Sequence, residues 1–339
     1  PNSKMVYSYH QERREAMMVK FFPQIIGLLV SILCLTGCAL ESDQFIEIEK
    51  KNLFPEGIAF DAVGKRFFLS SLSQGHIGVI SKDKTYTIFA DEADLYSTVG
   101  LHVDASLGVL LACLSDPGVS ARSSAYTKDK VSGLAVYNLE TGNRDHVYDL
   151  GRLVEGPVFA NDVAPDGQGH AYVTDSFSPV IYKVDLKSKK ASVFFRHDRF
   201  KGKGYNLNGI VYHPDGYLVV SKYNEGVFFK IPVRAPGQFQ EIKVSQKLRG
   251  ADGLVLVEKN QILVVQNELT EGAENGIYLL ETKDDFANAK LRSIGEGKLL
   301  NSPTTAVRTP QGHVFAVESF IKKLFEKVDQ SIFRVVKVL

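Results

Sequence analysis

The sequence predicts an all-β protein, a six-bladed β-propeller with four antiparallel strands in each blade. Three observations support this fold. A segment of constant outline (a polar residue, an apolar strand, a turn and a second apolar strand) occurs six times, at the spacing of propeller blades. No amphipathic helical stretch of useful length interrupts the series. The six segments are residues 55–71, 98–114, 160–176, 207–222, 251–267 and 303–319.

Aligning the six segments places one residue of each blade at the same register, where the first strand starts. These register residues are Glu56, Val99, Asn161, Asn208, Asp252 and Thr304. Their successive separations are 43, 62, 47, 44 and 52 residues, which suits blades of four short strands. The material after each pair, such as residues 180–195, supplies two further strands. For closure of the ring the sequence leaves two options open, residues 44–50 as an outer strand or the C-terminal stretch 331–339.

The N-terminal residues predict a signal peptide and a lipidation site. Lys20 precedes an apolar run that ends in Leu35-Thr36-Gly37-Cys38, which resembles the lipobox of bacterial lipoproteins. Cleavage before Cys38 and lipidation of its thiol are therefore expected. An uncleaved membrane anchor is the alternative, because residues 21–40 are just long enough to span a bilayer. The predicted domains are 1–38 as N-terminal extension and signal, 39–50 as linker or closing strand, and 51–339 as propeller.

This leader places the protein in the bacterial cell envelope, as a periplasmic or outer-membrane lipoprotein that meets the membrane through its lipid anchor only. The formal net charge of +1 gives no support to nucleic-acid binding, which needs a basic surface. A small molecule is the expected partner.

Cys113 is the one cysteine in the body of the chain, and its apolar surroundings predict a buried hydrophobic role.

The register position also predicts a binding site. In an antiparallel blade the start of the first strand and the end of the second lie on one face, and the innermost strands line the central channel. Glu56, Asn161, Asn208 and Asp252 therefore converge at one mouth of the channel with side-chain oxygens. Oxygen ligands with two negative charges suit a hard cation, and flexible geometry with room for water suits Ca²⁺ better than Mg²⁺. A set without His or Cys disfavours Zn²⁺. The alternative is that each residue only shapes a turn, as Asn, Asp and Glu commonly do.

The stretches EGIAFD, ANDVAPDG, NLNGIVYHPDG and GADGLVL resemble the superfamily of regucalcins and gluconolactonases, the SMP-30-like propellers. Paraoxonases, diisopropyl fluorophosphatases and strictosidine synthases are its wider relatives, and the resemblance covers roughly residues 50–330. In the calcium-dependent members a Glu of blade one, Asn residues of blades three and four and an Asp of blade five hold the ion. Those positions map onto Glu56, Asn161, Asn208 and Asp252. The resemblance implies one Ca²⁺ in the central channel.

A calcium-dependent hydrolase of a lactone or related ester, including phosphotriesters, is the function that follows. Asp252 is the first catalytic candidate, because some members use the corresponding carboxylate both as ligand and as catalytic group. Asp162 is the second, with capping of its own turn as the alternative role. A non-catalytic binding or scaffold lipoprotein with a structural calcium remains open. A metal-free propeller like the strictosidine synthases is disfavoured because all four oxygen ligands are present.

The sequence departs from its relatives at two positions that bear on the substrate. The His-Pro of paraoxonase-like members reads Ser115-Asp116-Pro117 here, which argues against a His-driven mechanism, and His102 is expected to be a packed or hydrogen-bonded strand residue. Regucalcin-like members hold sugar acids with an Arg where this chain has Phe159, which favours a less polar substrate. The weak candidates for a substrate pocket are Phe159, Asp175, Lys222, Asn267 and Glu318, the last four with a solvated rim position as the alternative.

Two connections are expected on the metal-binding face. Residues 115–130 form the long insertion of blade two, which acts either as a lid over the site or as a mobile surface loop. The basic run 196–204 either favours anionic substrates or headgroups or is a solvated connection.

Overall fold

Every predicted blade is present in the computed structural model, which describes residues 44–295 and 300–339. The predicted signal peptide and the lipidation site at Cys38 lie outside the described residues. Residues 46–339 form one compact unit. Within the described part of the chain, no helix combines the length and the apolar character that crossing a membrane requires.

Blades one and two each contain four consecutive antiparallel strands, ordered from the channel outward. The strands of blade one are β2 (Ile58–Asp61), β3 (Arg66–Leu69), β4 (Ile77–Ile80) and β5 (Tyr86–Ala90). Those of blade two are β6 (Ser97–Asp104), β7 (Val109–Ser115), β8 (Ser132–Asn138) and β9 (Arg144–Asp149).

Blades three and four repeat this order. The strands of blade three are β10 (Ala160–Pro165), β11 (His170–Asp175), β12 (Val180–Asp185) and β13 (Lys190–Arg196). Those of blade four are β14 (Leu207–His213), β15 (Tyr217–Lys222), β16 (Val227–Pro232) and β17 (Gln240–Glu241). The 3₁₀ helices Gly151–Leu153, Asp198–Phe200 and Pro236–Gln238 lie in connections.

Blade five carries a fifth strand. The order β18-β22-β21-β20-β19 puts the two-residue strand β18 parallel to β22 at the outer edge. The strands are β18 (Lys243–Val244), β19 (Ala251–Glu258), β20 (Gln261–Gln266), β21 (Gly276–Thr282) and β22 (Asn288–Ile294). Five sheets therefore have four strands and one has five.

Blade six closes the ring with both chain ends, so the two options left open by the sequence are used together. Its order is β1-β25-β24-β23, with the N-terminal strand outermost and the C-terminal strand third from the channel. A five-residue helix, α1, follows the second strand of the blade. The elements are β1 (Phe45–Glu49), β23 (Pro303–Arg308), β24 (Val314–Glu318), α1 (Ile321–Phe325) and β25 (Ile332–Lys337).

The hydrophobic core lies between neighbouring blades. Phe68 of blade one packs in one cluster with Leu110 of blade two, and Tyr172 of blade three with Leu218 of blade four. The inner strands are covered on both faces by adjacent blades, and β7 is accordingly buried at every position. Each innermost strand therefore faces the channel at a fixed position, which is what brings the register residues together.

Candidate metal centre

The register residues sit at irregularities in the innermost strands. In blades two to six the pairing of the first and second strands shifts at the register position, and in blade one Glu56 lies two residues before β2. The shifts fall between Thr98 and Leu101, Ala160 and Val163, Leu207 and Ile210, Ala251 and Leu254, and Pro303 and Ala306. Because a bulge leaves residues unpaired in the ladder and re-aims their side chains, polar residues are tolerated here in otherwise apolar strands.

A glycine follows the register residue in four blades and lets neighbouring blades approach closely. A Cβ at Gly100 would lie 2.6 Å from the backbone oxygen of Asn161, and one at Gly209 would lie 2.3 Å from that of Asp252. Any larger residue would push the adjacent strand away. The four glycines are Gly57, Gly100, Gly209 and Gly253. The close approach keeps the ring of register residues narrow.

Three of the four candidate ligands have their backbone fixed by a hydroxyl group of the preceding blade. Each donates to the carbonyl oxygen of the ligand residue, which the irregular pairing would otherwise leave without its ladder partner. The bonds run from Thr174 Oγ1 to Asn208 (2.6 Å), from Ser221 Oγ to Asp252 (3.2 Å) and from Thr304 Oγ1 to Glu56 (2.8 Å). The last bond joins blade six to blade one, so Thr304 acts in closing the ring.

The four predicted ligands line one small cavity of about 40 Å³ at this mouth of the channel. Glu56, Asn161, Asn208 and Asp252 are each at most 7% exposed. The remaining lining residues are apolar or aromatic: Leu72, Pro117, Phe159, Tyr205, Tyr223, Leu269, Ile321 and Phe325. The site thus combines four oxygen-bearing side chains with an apolar surround.

The amide groups of the two asparagines are held so that their carbonyl oxygens remain for a cation. Asn161 donates its side-chain NH₂ to Ser176 Oγ at 3.0 Å, and Asn208 hydrogen-bonds the Asp252 carboxylate. Asp252 Oδ2 also accepts from Asn267 Nδ2 at 2.6 Å, and Tyr223 donates in turn to Asn267. Carbonyl and carboxylate oxygens in a partly flexible ring form the donor set that Ca²⁺ prefers.

The charges of the site lack compensation. Burial, then the nearby Asp252 and Asp162, hold the pKa of Glu56 well above its usual range. Burial raises the pKa of Asp252 to about 8, and the charge of Asp162 adds to this effect while Asn267 and Asn208 oppose it. Within residues 44–295 and 300–339, neither carboxylate forms an ion pair with a Lys, Arg or His. A bound divalent cation would supply the missing charge, so the residues fit the group that the resemblance implies.

A second acidic cluster shows the opposite arrangement. His213, Asp215 and Asp285 lie close enough to share an ion, but lysines neutralise both carboxylates. Lys259 pairs with Asp215 at 2.9 Å, and Lys230 with Asp285 at 2.5 Å. His213 Nε2 also lies 2.7 Å from a backbone oxygen. This cluster satisfies itself, whereas the Glu56 cavity does not.

Asp162, the second catalytic candidate, lies outside this cavity. It lines the opposite half of the channel, a space of about 450 Å³. Its two carboxylate oxygens accept from the backbone N–H groups of Val163 (2.8 Å) and Ile210 (3.2 Å). Burial raises its pKa to about 7, against the effect of these two bonds. His102 lines the same half and is exposed there, whereas the sequence predicted a packed or hydrogen-bonded residue.

The weak pocket candidates divide into two groups. Phe159 lines the cavity and Asn267 orients Asp252, while the other three make structural contacts away from it. Asp175 accepts from Phe159 N–H and Tyr182 OH, Lys222 donates to the backbone oxygens of Arg199 and Lys201, and Glu318 accepts from Asn301. None of these three is a solvated rim residue, because all are buried.

The two connections expected on this face differ in role. The blade-two insertion reaches the cavity through Pro117, as a lid requires. In the basic run, Arg199 is engaged in ion pairs with Glu225 at 2.6 Å and Glu241 at 2.8 Å, and Lys201 pairs with Asp198 at 2.7 Å. These contacts give Arg199 a structural role in the connection.

Sequence reasoning missed the cover that blade six provides. Ile321 and Phe325, four residues apart on α1, place apolar side chains over the cavity. Their spacing within the short apolar stretch after β24 was the available signal. Tyr205 and Tyr223 were missed as well, because neither stands at the register position.

The sequence matches no known protein-family profile, and no curated protein matches it significantly. Solved structures do match. Mala s 1, the major allergen of Malassezia sympodialis, aligns with a TM-score of 0.65 at 18% identity, covering 87% of this chain and 95% of that one. A gluconolactonase from Xanthomonas campestris aligns at 0.59 with 14% identity (87% and 90%). Virginiamycin B lyase from Staphylococcus aureus aligns at 0.53 with 11% identity (87% and 99%).

These likenesses show the fold, and the functions of the three proteins differ. The chain is a six-bladed β-propeller of the architecture that gluconolactonases share. At one mouth of its channel the chain has a buried acidic centre with an apolar cover.

Proposed function

We propose that this protein is a calcium-dependent hydrolase of a lactone or a related ester, with Glu56, Asn161, Asn208 and Asp252 as the calcium ligands. The observation that carries the proposal is the pair of buried carboxylates, Glu56 and Asp252, which lack a cationic partner in the described residues. Two amides complete an oxygen-only set in the same cavity. When bound, Ca²⁺ with an open position polarises the carbonyl or phosphoryl oxygen of a substrate and stabilises the developing oxyanion.

Asp252 is the residue best placed to act as base or nucleophile. It lines the cavity, and Asn267 holds one of its oxygens at 2.6 Å, which fixes the orientation of the carboxylate. Asp162 faces the other half of the channel with both oxygens engaged by backbone N–H groups. We therefore assign the proton-accepting or nucleophilic role to Asp252 and a positional role to Asp162.

The wall of the cavity favours a substrate less polar than a sugar lactone. The ring of Phe159 packs at a tilt against Phe177 and edge-to-face against Tyr205, at centroid distances of 5.3 and 5.5 Å, and Leu269 and Ile321 extend this apolar surface. No Arg or Lys lines the cavity within the described residues. Recognition of a hydroxyl-rich acid would need such polar groups.

The deciding experiment is the Asp252→Asn variant, assayed on lactones, carboxylic esters and phosphotriesters in the presence of Ca²⁺. Asn keeps an oxygen ligand but cannot accept the proton, so we expect binding of the ion at raised Ca²⁺ and a fall in kcat of about 10²-fold or more. Asp162→Asn is the matched control and should retain most of the turnover. Unchanged turnover in Asp252→Asn would refute the catalytic role.

One observation favours a second candidate, a non-catalytic propeller with a structural calcium. The cavity of about 40 Å³ is small and covered by Ile321 and Phe325. An ion there would tie four blades together whether or not a substrate follows. Calcium-dependent stability without turnover on any of the three substrate classes would select this candidate.

We further propose that the propeller is tethered to the bacterial envelope through Cys38. The support is the sequence Leu35-Thr36-Gly37-Cys38 after an apolar run. Metabolic labelling with radioactive palmitate should mark the full chain, and Cys38→Ser should lose the label. Cys34→Ser is the control that should retain it, and label remaining in Cys38→Ser would contradict the tether.

A further inference from the structure

The cavity above the candidate ligands is too small for a substrate of ordinary size. A volume of about 40 Å³ has room for a cation and a water or two. Binding sites for small molecules typically measure about 300–1,000 Å³. Any substrate that reaches Asp252 must therefore place most of its atoms elsewhere.

A groove of about 470 Å³ lies directly beside this cavity on the same face. Phe325 lines both spaces, and the consecutive residues Pro117 and Gly118 line the cavity and the groove respectively. The wall between them thus consists of one aromatic ring and a short piece of the blade-two insertion. The groove runs between that insertion, α1 and the segment before β2.

The groove offers apolar contact with few free polar groups. Its apolar surface comes from Phe54, Val119, Ala121, Leu324 and Val328. Apart from the Lys327 side chain, its main polar groups are engaged: Asn52 Nδ2 donates to Asp329 Oδ1 at 2.9 Å, and Asp329 pairs with Lys51 at 2.9 Å. Gln74 is likewise engaged, by a bond of 2.7 Å to the Lys51 backbone oxygen.

Phe325 is an exposed part of the wall. It is the last residue of a five-residue helix and is 40% exposed. At the other end of the helix, the N-cap residue Phe320 is in the left-handed region and packs edge-to-face on Phe333, so the start of α1 is anchored. Among the described residues, no aromatic pair involves Phe325 itself. Its ring is the one side chain of the described residues that lines both spaces.

We propose that the groove is the subsite for an uncharged apolar substituent of the substrate, and that Phe325 separates it from the reacting centre. This inference rests on the proposed function and deepens it. Phe325 is then a specificity-determining residue, and the groove, which continues directly from the candidate metal centre, receives the part of the molecule that the small cavity excludes.

The test compares two 4-nitrophenyl esters, the acetate and the octanoate, on the full chain with Ca²⁺. Ala121→Phe fills the groove from its exposed rim and leaves the Ala121 N–H bond to Ser73 intact. We expect KM for the octanoate to rise about tenfold and KM for the acetate to stay unchanged. Ala125→Phe, exposed in the same insertion but outside the groove, is the control that should change neither. Equal effects on both esters would overturn the inference.

Phe325→Ala probes the wall directly. Removing the ring should raise the ratio of kcat/KM for octanoate over acetate about threefold or more, because the apolar chain gains access. An unchanged ratio would show that the ring does not separate the two spaces.

A binding readout keeps this inference apart from the hydrolase proposal. The neutral dye Nile red, whose visible fluorescence rises in apolar surroundings, reports binding in the groove without any turnover. If the parent hydrolyses neither of these esters, nor any lactone or phosphotriester, the proposed function fails, and the dye alone decides the groove. Binding that is lost in Ala121→Phe and kept in Ala125→Phe supports the subsite, whereas equal binding in all three proteins rejects it.

Discussion

The two halves of the central channel are built from the same six innermost strands, yet their chemistry differs sharply. At the Glu56 end, bulges direct carboxylates and amides towards a cavity of about 40 Å³, which lies under an apolar cover. At the other end, the regular parts of the same strands leave an open space of about 450 Å³ lined mostly by aliphatic side chains. The strands are common to both ends, so the difference comes from the irregular positions and from the connections that cover one end only.

This comparison explains why the acidic centre is confined to one end. A regular strand presents alternate residues to the channel, and apolar side chains there cost nothing. A bulge adds an extra residue and leaves backbone groups to be satisfied, which Thr174, Ser221 and Thr304 do from adjacent blades. A bulge that directs polar side chains into a buried cavity costs folding free energy unless those side chains have a partner. Two carboxylates and two amides are suited to a cation as that partner.

The largest effect should come from removing the amide ligands. The double variant Asn161→Ala, Asn208→Ala loses two neutral oxygens from a four-residue set, so we expect Ca²⁺ affinity to fall at least about 100-fold, equivalent to about 2.7 kcal/mol. Calorimetric titration of chelator-stripped protein measures this directly. Asp215→Asn, in the cluster that lysines neutralise, is the matched control and should bind like the parent. Absence of a site in the parent would remove the basis of the hydrolase mechanism.

The next effect concerns the glycines that let the blades meet. A Cβ at Gly209 would lie 2.3 Å from the Asp252 backbone oxygen, and the strands must move apart to admit it. Gly209→Ala should therefore cost about 1–3 kcal/mol of unfolding free energy and weaken Ca²⁺ binding as well. Gly237→Ala is the control, since no atom lies within 4 Å of the added Cβ. Urea denaturation measures the unfolding free energy, and the same experiment with Ca²⁺ measures the stabilisation by the ion. Equal stability of the two variants would contradict the close approach of neighbouring strands at Gly209.

The pH dependence of calcium-free protein should reveal the uncompensated charges. Folding raises the pKa of Asp162 to about 7 and of Asp252 to about 8, so the folded state holds protons that the unfolded chain has already released. Stability must then fall as the pH rises from about 4 towards about 8, and it must level off above that, where both states have released these protons. His102 opposes the fall only below about pH 6.5, because folding lowers its pKa to about 4. We expect a drop of several degrees in Tm across this range.

Two controls test whether the buried carboxylates cause this dependence of Tm on pH. Saturating Ca²⁺ should flatten the fall in Tm, because the ion favours the ionised carboxylates that burial disfavours. Asp252→Asn should reduce the slope without Ca²⁺. A calcium-free protein whose Tm is constant between about pH 6.5 and 8 would be inconsistent with buried, unneutralised carboxylates.

The sequence predicted the fold and the position of the candidate ligands for a physical reason. Blade repeats recur at fixed length, and the polar register residues interrupt apolar strands, so both signals are local. The cover over the cavity was not predictable in this way. Ile321, Phe325, Tyr205 and Tyr223 reach it from connections whose paths depend on packing between distant segments, such as α1 against the blade-two insertion.

The direction of individual side chains was the second feature that the sequence did not predict. Lys222 stands at the end of a second strand, as a pocket residue would, but turns away to hold the backbone of residues 199 and 201. Closure of the ring was left open because either terminal strand alone could complete a sheet. The structure places both in blade six. These features depend on contacts across the fold, which no short stretch of sequence encodes.

The smallest effect should come from the opposite half of the channel. His102 is exposed in the large space there, on the side of the strands away from the candidate ligands. Although solvent reaches this side chain, the channel walls around it desolvate the ring and lower its pKa to about 4, so it is neutral near pH 7 and adds no charge to the centre. His102→Gln should therefore change Ca²⁺ affinity less than about twofold and stability by no more than about 0.5 kcal/mol. A large loss of Ca²⁺ affinity in this variant would mean that the two halves act as one site, and that the acidic centre extends through the whole channel.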